Sequence, residues 1–219
     1  MEKKRIILGV LFLVGGFVIL VLVLNIIKIN KAETFLNSLK GEIIYVNRDG
    51  QYSNVYKISA NGKNRQMLYH NIDRTNSNCL FPQWSSDGSR IFFTAMRNGQ
   101  WRTFIMDSDG SNVEVVENKE SSLVSHYSRA NDIIVKAGNV YCVDDKGNEF
   151  KVYSFDGYDY KFNPGASEAS WSPDKKFVIF QSCEYGFLGM WGGCSILIAD
   201  PGTAEVVKIT AGKAPDWKY

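Results

Sequence analysis

The 219-residue sequence is poor in the residues on which most catalytic and metal sites depend. It has two histidines, His70 and His126, and four cysteines. The histidines stand in neither an H-x-x-x-H nor an H-E-x-x-H pattern, so no zinc site is expected. No G-x-S-x-G elbow occurs, and the chain has no room for a hydrolase domain beside its other parts. A phosphate-cradling G-x-x-x-x-G-K-[ST] loop is also missing. No metal and no cofactor is expected. Charge of one sign is scarce too, with 25 Lys and Arg against 23 Asp and Glu, a net charge of +2. Without a basic run or an RNA-reading motif, nucleic acid is a poor candidate partner.

What is present begins with a long apolar run. Residues 6–27 hold no charged side chain and one strongly polar one, Asn25. As a helix they would extend about 33 Å, enough to cross a bilayer core. Lys3, Lys4 and Arg5 precede the run, which places residues 1–5 in the cytoplasm and the remainder outside. A cleaved signal peptide is the rival reading, but the run is too long for one and no small-x-small site follows. The expected organisation is a basic N-terminus over 1–5, a transmembrane signal anchor over 6–27 and a short helical stalk over 28–40. The stalk rests on the stripe Ala32, Phe35, Leu36 and Leu39. One further domain covers 41–219.

That domain is repetitive. Phe81-Pro82-Gln83-Trp84-Ser85-Ser86-Asp87-Gly88 followed by Ile91-Phe92-Phe93 reads as strand, tight turn, strand. Copies of decreasing clarity surround Trp171 with Asp174, Tyr127, and Trp217. The anchors Trp84, Tyr127, Trp171 and Trp217 step by 43, 44 and 46 residues. A period in the low to mid forties with several short strands per repeat is a β-propeller signature. The motif P-x-W-S-x-D-G, an apolar strand, a polar hairpin and the D-x-D-G turn Asp107-Ser108-Asp109-Gly110 resemble the TolB-type, WD-like propeller repeat. The resemblance spans roughly residues 41–219. It implies the fold, and leaves open protein docking, peptidase gating and enzymatic roles.

The expected fold is therefore all-β: a four-bladed β-propeller of four-stranded antiparallel blades, preceded by one transmembrane helix. Blade one supplies three strands of its own, and Ala214 to Tyr219 is its missing first strand. Pairing beside Ile43 to Val46 would close the ring within one chain. The alternatives are an open fragment, or half of an eight-bladed ring built by two chains. The repeat aromatics Trp84, Tyr127, Trp171 and Trp217 are expected to pack between blades with their polar atoms bonded to backbone. Asp87, Gly88 and Asp174 are expected to serve turns rather than calcium.

Two cysteines stand apart. Cys183 and Cys194 lie at the two ends of one hairpin loop, where opposed residues come within bridging range. The loop between them, Glu184 to Gly193, is the longest hairpin insertion in the repeat set and carries Tyr185, Phe187, Leu188, Met190 and Trp191. Exposed apolar side chains on a loop mark a contact surface, unless the loop folds over its own aromatics. Tyr185, Phe187, Met190 and Trp191 are the candidate binding residues. The function expected from all this is a non-enzymatic, extracytoplasmic docking module with a membrane and a protein as partners. A small carbohydrate-active hydrolytic propeller with carboxylates in its channel is the alternative.

Overall fold

The computed structural model describes residues 2–72, 78–116, 133–144, 146–154, 165–185 and 191–218, with backbone alone at 2–16, 165, 185, 191 and 192. The chain divides into two units, Met1–Leu39 and Lys40–Tyr219. The first holds helix α1, Glu2–Ser38. It runs unbroken through position 28, so the stalk expected over 28–40 is not a separate element. Among the described residues no helix is long and apolar enough to cross a membrane; the side chains of the first eleven residues of the 6–27 run lie outside that description.

The second unit consists of four antiparallel sheets. Sheet one contains β1 (Glu42–Asp49), β2 (Tyr52–Ser59) and β3 (Gln66–Tyr69). Sheet two contains β4 (Cys79–Trp84), β5 (Arg90–Arg97), β6 (Gln100–Asp107) and β7 (Glu114–Val115). Sheet three contains β8 (Ile133–Lys136), β9 (Asn139–Val143) and β10 (Glu149–Tyr153). Its expected first strand, with Tyr127, falls outside the described residues. Sheet four contains β11 (Gly165–Trp171), β12 (Val178–Tyr185), β13 (Trp191–Asp200) and β14 (Glu205–Ala211). The final strand, β15 (Lys213–Lys218), returns to sheet one and lies beside β1, giving the order β15-β1-β2-β3. Ile43 pairs with Trp217 and Ile44 with Asp216. The C-terminal segment therefore supplies the missing first strand of sheet one.

Local chemistry accounts for the hairpins. Asn98 and Gly99 both take left-handed φ, 53° and 74°, between β5 and β6, the conformation a two-residue hairpin turn requires. Packing then joins the sheets. Ile44, Val46, Val55 and Leu68 of sheet one are buried against Ile91, Phe93, Ala95, Phe104 and Met106 of sheet two. Ile133, Val140, Cys142 and Val152 of sheet three are buried with Val178, Phe180 and Ala199 of sheet four. Sheet four reaches sheet one through Gln181, whose Oε1 accepts from Ala214 N at 2.8 Å, and through stacking of Phe177 on Trp217. The sheets thus pack in the order three, four, one, two.

Candidate docking site

Sheets one, two and three turn between their last two strands in the same way. Ser59, Asp107 and Asp144 each donate a backbone N–H across the turn, to Lys63, Ser111 and Asn148, while Gly62, Gly110 and Gly147 donate back to them. These turns place Tyr56, Phe104 and Tyr141 in register, along with Ile58, Met106 and Val143. The residues between them point to the other face of the sheet. Every sheet therefore has two kinds of face, and each junction in the structure joins one kind to the other. Where sheets one and two meet, the backbones approach so closely that a Cβ on Gly110 would stand 2.8 Å from the Leu68 carbonyl oxygen.

The first strands repeat a second feature. Phe81, Glu168 and Ala214 each stand three residues before a repeat Trp, and each takes left-handed φ, 51°, 53° and 48°. The register shifts at the same places in β4, β11 and β15. Each is a β-bulge re-aiming the strand next to its Trp. The repeated turns and bulges make each sheet one blade of a propeller-type array. No family model matches the chain and no curated protein does. Among solved structures it is similar to TolB of Acinetobacter baumannii, at 18% identity and TM-score 0.31 over 77% of this chain and 41% of that one. It is also similar to a putative TolB of Agrobacterium tumefaciens, at 14% identity and TM-score 0.32 over 80% of this chain and 64% of that one. The tricorn protease matches at 11% identity and TM-score 0.28 over 80% of this chain and 18% of that one. The chain spans less than two thirds of the length of these structures, and none of the likenesses transfers an activity or partner to it.

The hairpin of blade four is the candidate site. Val178, Ile179, Phe180, Ile196 and Ile198 are fully buried, so β12 and β13 are anchored in the core. Cys183 and Cys194 form a register pair, with Cα atoms 4.0 Å apart and the sulfurs joined at 2.03 Å. Beside them Tyr153 Oη and Ser182 Oγ share a hydrogen bond at 3.0 Å, and Gly212 N donates to Cys194 O at 2.9 Å. Strand pairing continues past the cysteines to Glu184 opposite Gly193 and Tyr185 opposite Trp191. The loop expected over Glu184 to Gly193 is therefore shorter than the sequence suggests. Backbone pairing extends the two strands, leaving only 186–190 between them. Phe187 and Met190 lie outside the described residues, and Tyr185 and Trp191 are described by backbone alone.

The other anticipated residues that are described occupy structural positions. Trp217 is 6% exposed and its Nε1 donates to Lys40 O at 2.9 Å. The expected backbone bond for the indole N–H is not made at Trp84 and Trp171, whose Nε1 atoms are buried without a protein acceptor. Instead Trp84 lies under a cation. Lys218 Nζ sits 3.9 Å from its ring centroid, donates to Gly88 O at 2.7 Å and stands 3.5 Å from Glu42 Oε2. Glu42 also pairs with Lys57 at 3.0 Å. Asp216 Oδ2 accepts from Trp84 N at 2.7 Å. This clasp between blades one and two was not anticipated from the sequence, because Asp216 and Lys218 lie 130 or more residues from Trp84 and Gly88.

Asp87 serves its turn. Its Oδ1 accepts from Ser85 Oγ, Ser89 N and Ser89 Oγ at 2.6, 3.0 and 2.8 Å. The bond from Ser85, followed by those from Ser89, holds its carboxyl down to about 2. Asp174 accepts from Ser172 Oγ at 2.7 Å in the equivalent turn of blade four. Among the described residues no group of three or more His, Cys, Asp or Glu could hold a metal. Cys79 and Cys142 are buried thiols outside the disulfide, and burial pushes Cys79 up to about 12. A cleft of about 260 Å³ on blade two holds Arg90, Asp107, Asn112 and Glu114. There Asp107 Oδ2 accepts from Asn112 Nδ2 at 2.6 Å, again a turn bond.

Proposed function

We propose that this propeller is a non-enzymatic docking module held at a membrane, and that the Cys183–Cys194 hairpin is its partner-binding element. The observation that carries the reading is the crosslink on a register pair at the root of that hairpin. It ties together two strands whose lower halves are buried apolar core, so the tip is presented from a fixed base. On the chain-entropy estimate a loop of about a dozen residues gains roughly 2–3 kcal/mol of stability from such a crosslink. The same restriction lowers the ordering cost on binding. Of the four candidates, Trp191 is the main anchor, since Trp is enriched among interface hot spots.

Anchoring is supported by the charge bias at the N-terminus and by the surface of α1. The large apolar side chains from Phe17 to Ile29 are 40 to 67% exposed, which is the surface lipid would cover. The propeller then lies on the extracytoplasmic side, where a disulfide persists, and its partner is a protein displayed at the same membrane. The competing reading, a small hydrolytic propeller, would draw on the cleft with Asp107 and Glu114. There Asp107 is engaged by Asn112, and the cleft is lined from the second to the fourth strand of sheet two.

The test is made on the full chain in its membrane. A photoreactive residue at 185 identifies the partner by crosslinking, and Trp191→Ala weakens its capture by about 2 kcal/mol, roughly thirty-fold. The melting temperature of the variant stays close to that of the parent. Mass spectrometry without reduction finds the Cys183–Cys194 peptide pair. Free thiols would remove the fixed base, and a Trp191→Ala chain that unfolds would make the hairpin core rather than interface.

A further inference from the structure

Two sheet faces are left over when the junctions are paired off. On sheet two it is the face of Leu80, Phe92, Thr94, Trp101, Thr103 and Ile105, tied together by the pairs Leu80 with Thr94, Phe92 with Ile105, and Thr94 with Thr103. The corresponding face of sheet one holds Val55 and Leu68, at 0 and 9% exposure, and that of sheet three holds Val140 and Cys142, at 0 and 1%. On sheet two, Leu80 and Phe92 are each 36% exposed and Trp101 46%, around Thr94 at 9%. On sheet three the leftover face carries Ile134 opposite Tyr141, with Lys136 and Lys151 within 6 Å of the Tyr141 ring. By the repeat register Tyr141 and Val143 stand where Phe104 and Met106 stand on sheet two, and those two are buried against sheet one.

The two leftover faces are therefore of the complementary kinds that meet at every other junction. Within one chain they belong to the two ends of the series three, four, one, two. Among the described residues no shared core joins sheet two to sheet three, and the width of the formed junctions gives the reason. Tyr69, on the outermost strand of sheet one, packs on Phe93 and Phe104 with ring centroids 4.6 and 5.8 Å apart. Tyr153, on the outermost strand of sheet three, packs on Phe180 at 4.8 Å. The outermost strand of one sheet thus reaches the second strand of the next. A ring of four must turn by about 90° at each junction, whereas a ring of eight turns by about 45°. With strands about 4.8 Å apart, the outermost strand lies about 14 Å beyond the first, and a 90° turn would separate outer strands by a further 20 Å or so. At 45° that further separation is about 11 Å, so the contacts of Tyr69 with β5 and β6 favour the smaller turn.

We propose that a second copy of this chain covers both faces. Sheet two of each copy packs on sheet three of the other, which gives an eight-bladed ring about a two-fold axis with two equivalent new junctions. At the rims Glu114 stands on the sheet-two face and Lys151 on the sheet-three face, where Lys136 is paired with Glu149 at 2.6 Å. This goes beyond the docking role, and the hairpin of blade four takes no part in it.

The test uses the full chain in detergent. Light scattering on the purified protein gives the mass of two copies, and Trp101→Glu, at an exposed position, halves it while the disulfide and the circular dichroism are retained. A photoreactive residue at 103 is then introduced into an equal mixture of light- and heavy-isotope copies, dissociated and reassociated. Peptides covering 133–143 are expected to be captured with mixed isotope labels. A monomeric parent, a crosslink confined to one label, or capture that bypasses 133–143 would each overturn the proposal. In a single-chain ring Trp101→Glu would instead lower the melting temperature and leave the mass unchanged.

Discussion

At the scale of the residue, the turns are the best-defined chemistry in the domain. Asp87 accepts three hydrogen bonds from Ser85 and Ser89, all of which are stronger to its ionised form. Its carboxyl is lowered to about 2 in the fold and returns to about 3.9 in the unfolded chain. A lowered folded value means that the contribution to stability is complete above about pH 4 and fades as the pH falls towards 2. Asp87→Asn should therefore be less stable than the parent at pH 6. It should also lose less of its stability than the parent between pH 4 and 2.5 in urea titrations followed by tryptophan fluorescence. Parallel losses in the two proteins would show that the turn does not stabilise the fold through its charge. Asp109 and Asp144 are lowered by equivalent bonds from Ser111 and Asn148, so a shallower slope remains in the variant.

At the scale of the element, β15 decides more than its six residues suggest. It completes sheet one, and its side chains reach both neighbouring blades. Trp217 stacks on Phe177 of blade four, while Lys218 covers Trp84 of blade two. The left-handed residue Ala214 bends the strand so that its N–H meets Gln181. Removing a buried Trp costs about 3–5 kcal/mol against a typical domain stability of roughly 5–15 kcal/mol. Trp217→Ala should lower the urea midpoint by the corresponding amount, and a chain ending at Lys213 should lose cooperative unfolding and expose the edge of β1 to aggregation. A truncated chain melting within a few degrees of the parent would mean that β15 is dispensable. Lys218→Met, which keeps the stem over Trp84 and drops the charge, separates packing from the bond to Gly88.

At the scale of the whole molecule, the proposed placement has the helix crossing the membrane and the propeller outside. Protease added to intact cells or spheroplasts should then cut the chain beyond Lys40. Protection until the membrane is ruptured would reverse the topology. An eight-bladed assembly of two anchored chains would present two copies of the Cys183–Cys194 hairpin, so bivalent partners would gain avidity at the membrane without any additional contact.

Much of this architecture could be read directly from the residues. Strand positions follow from alternation and from turn residues such as Asn98-Gly99 and Ser85 to Gly88, interactions that act over a few residues and leave a local trace. The return of the last strand to sheet one could also be read, because the repeat lacked one strand at its start and held one spare at its end. The pairing of Cys183 with Cys194 was legible for the same reason: a hairpin places its two ends opposite each other. The remainder depended on what meets through space. Three residues in left-handed conformation before the repeat tryptophans have no common side-chain type, so Phe81, Glu168 and Ala214 carry no pattern to recognise. The extension of the hairpin to Tyr185 and Trp191 is decided by backbone pairing that glycines and aromatics do not announce. The cation over Trp84 is set by packing across blades, where the partners of each residue are fixed only when the sheets have come together.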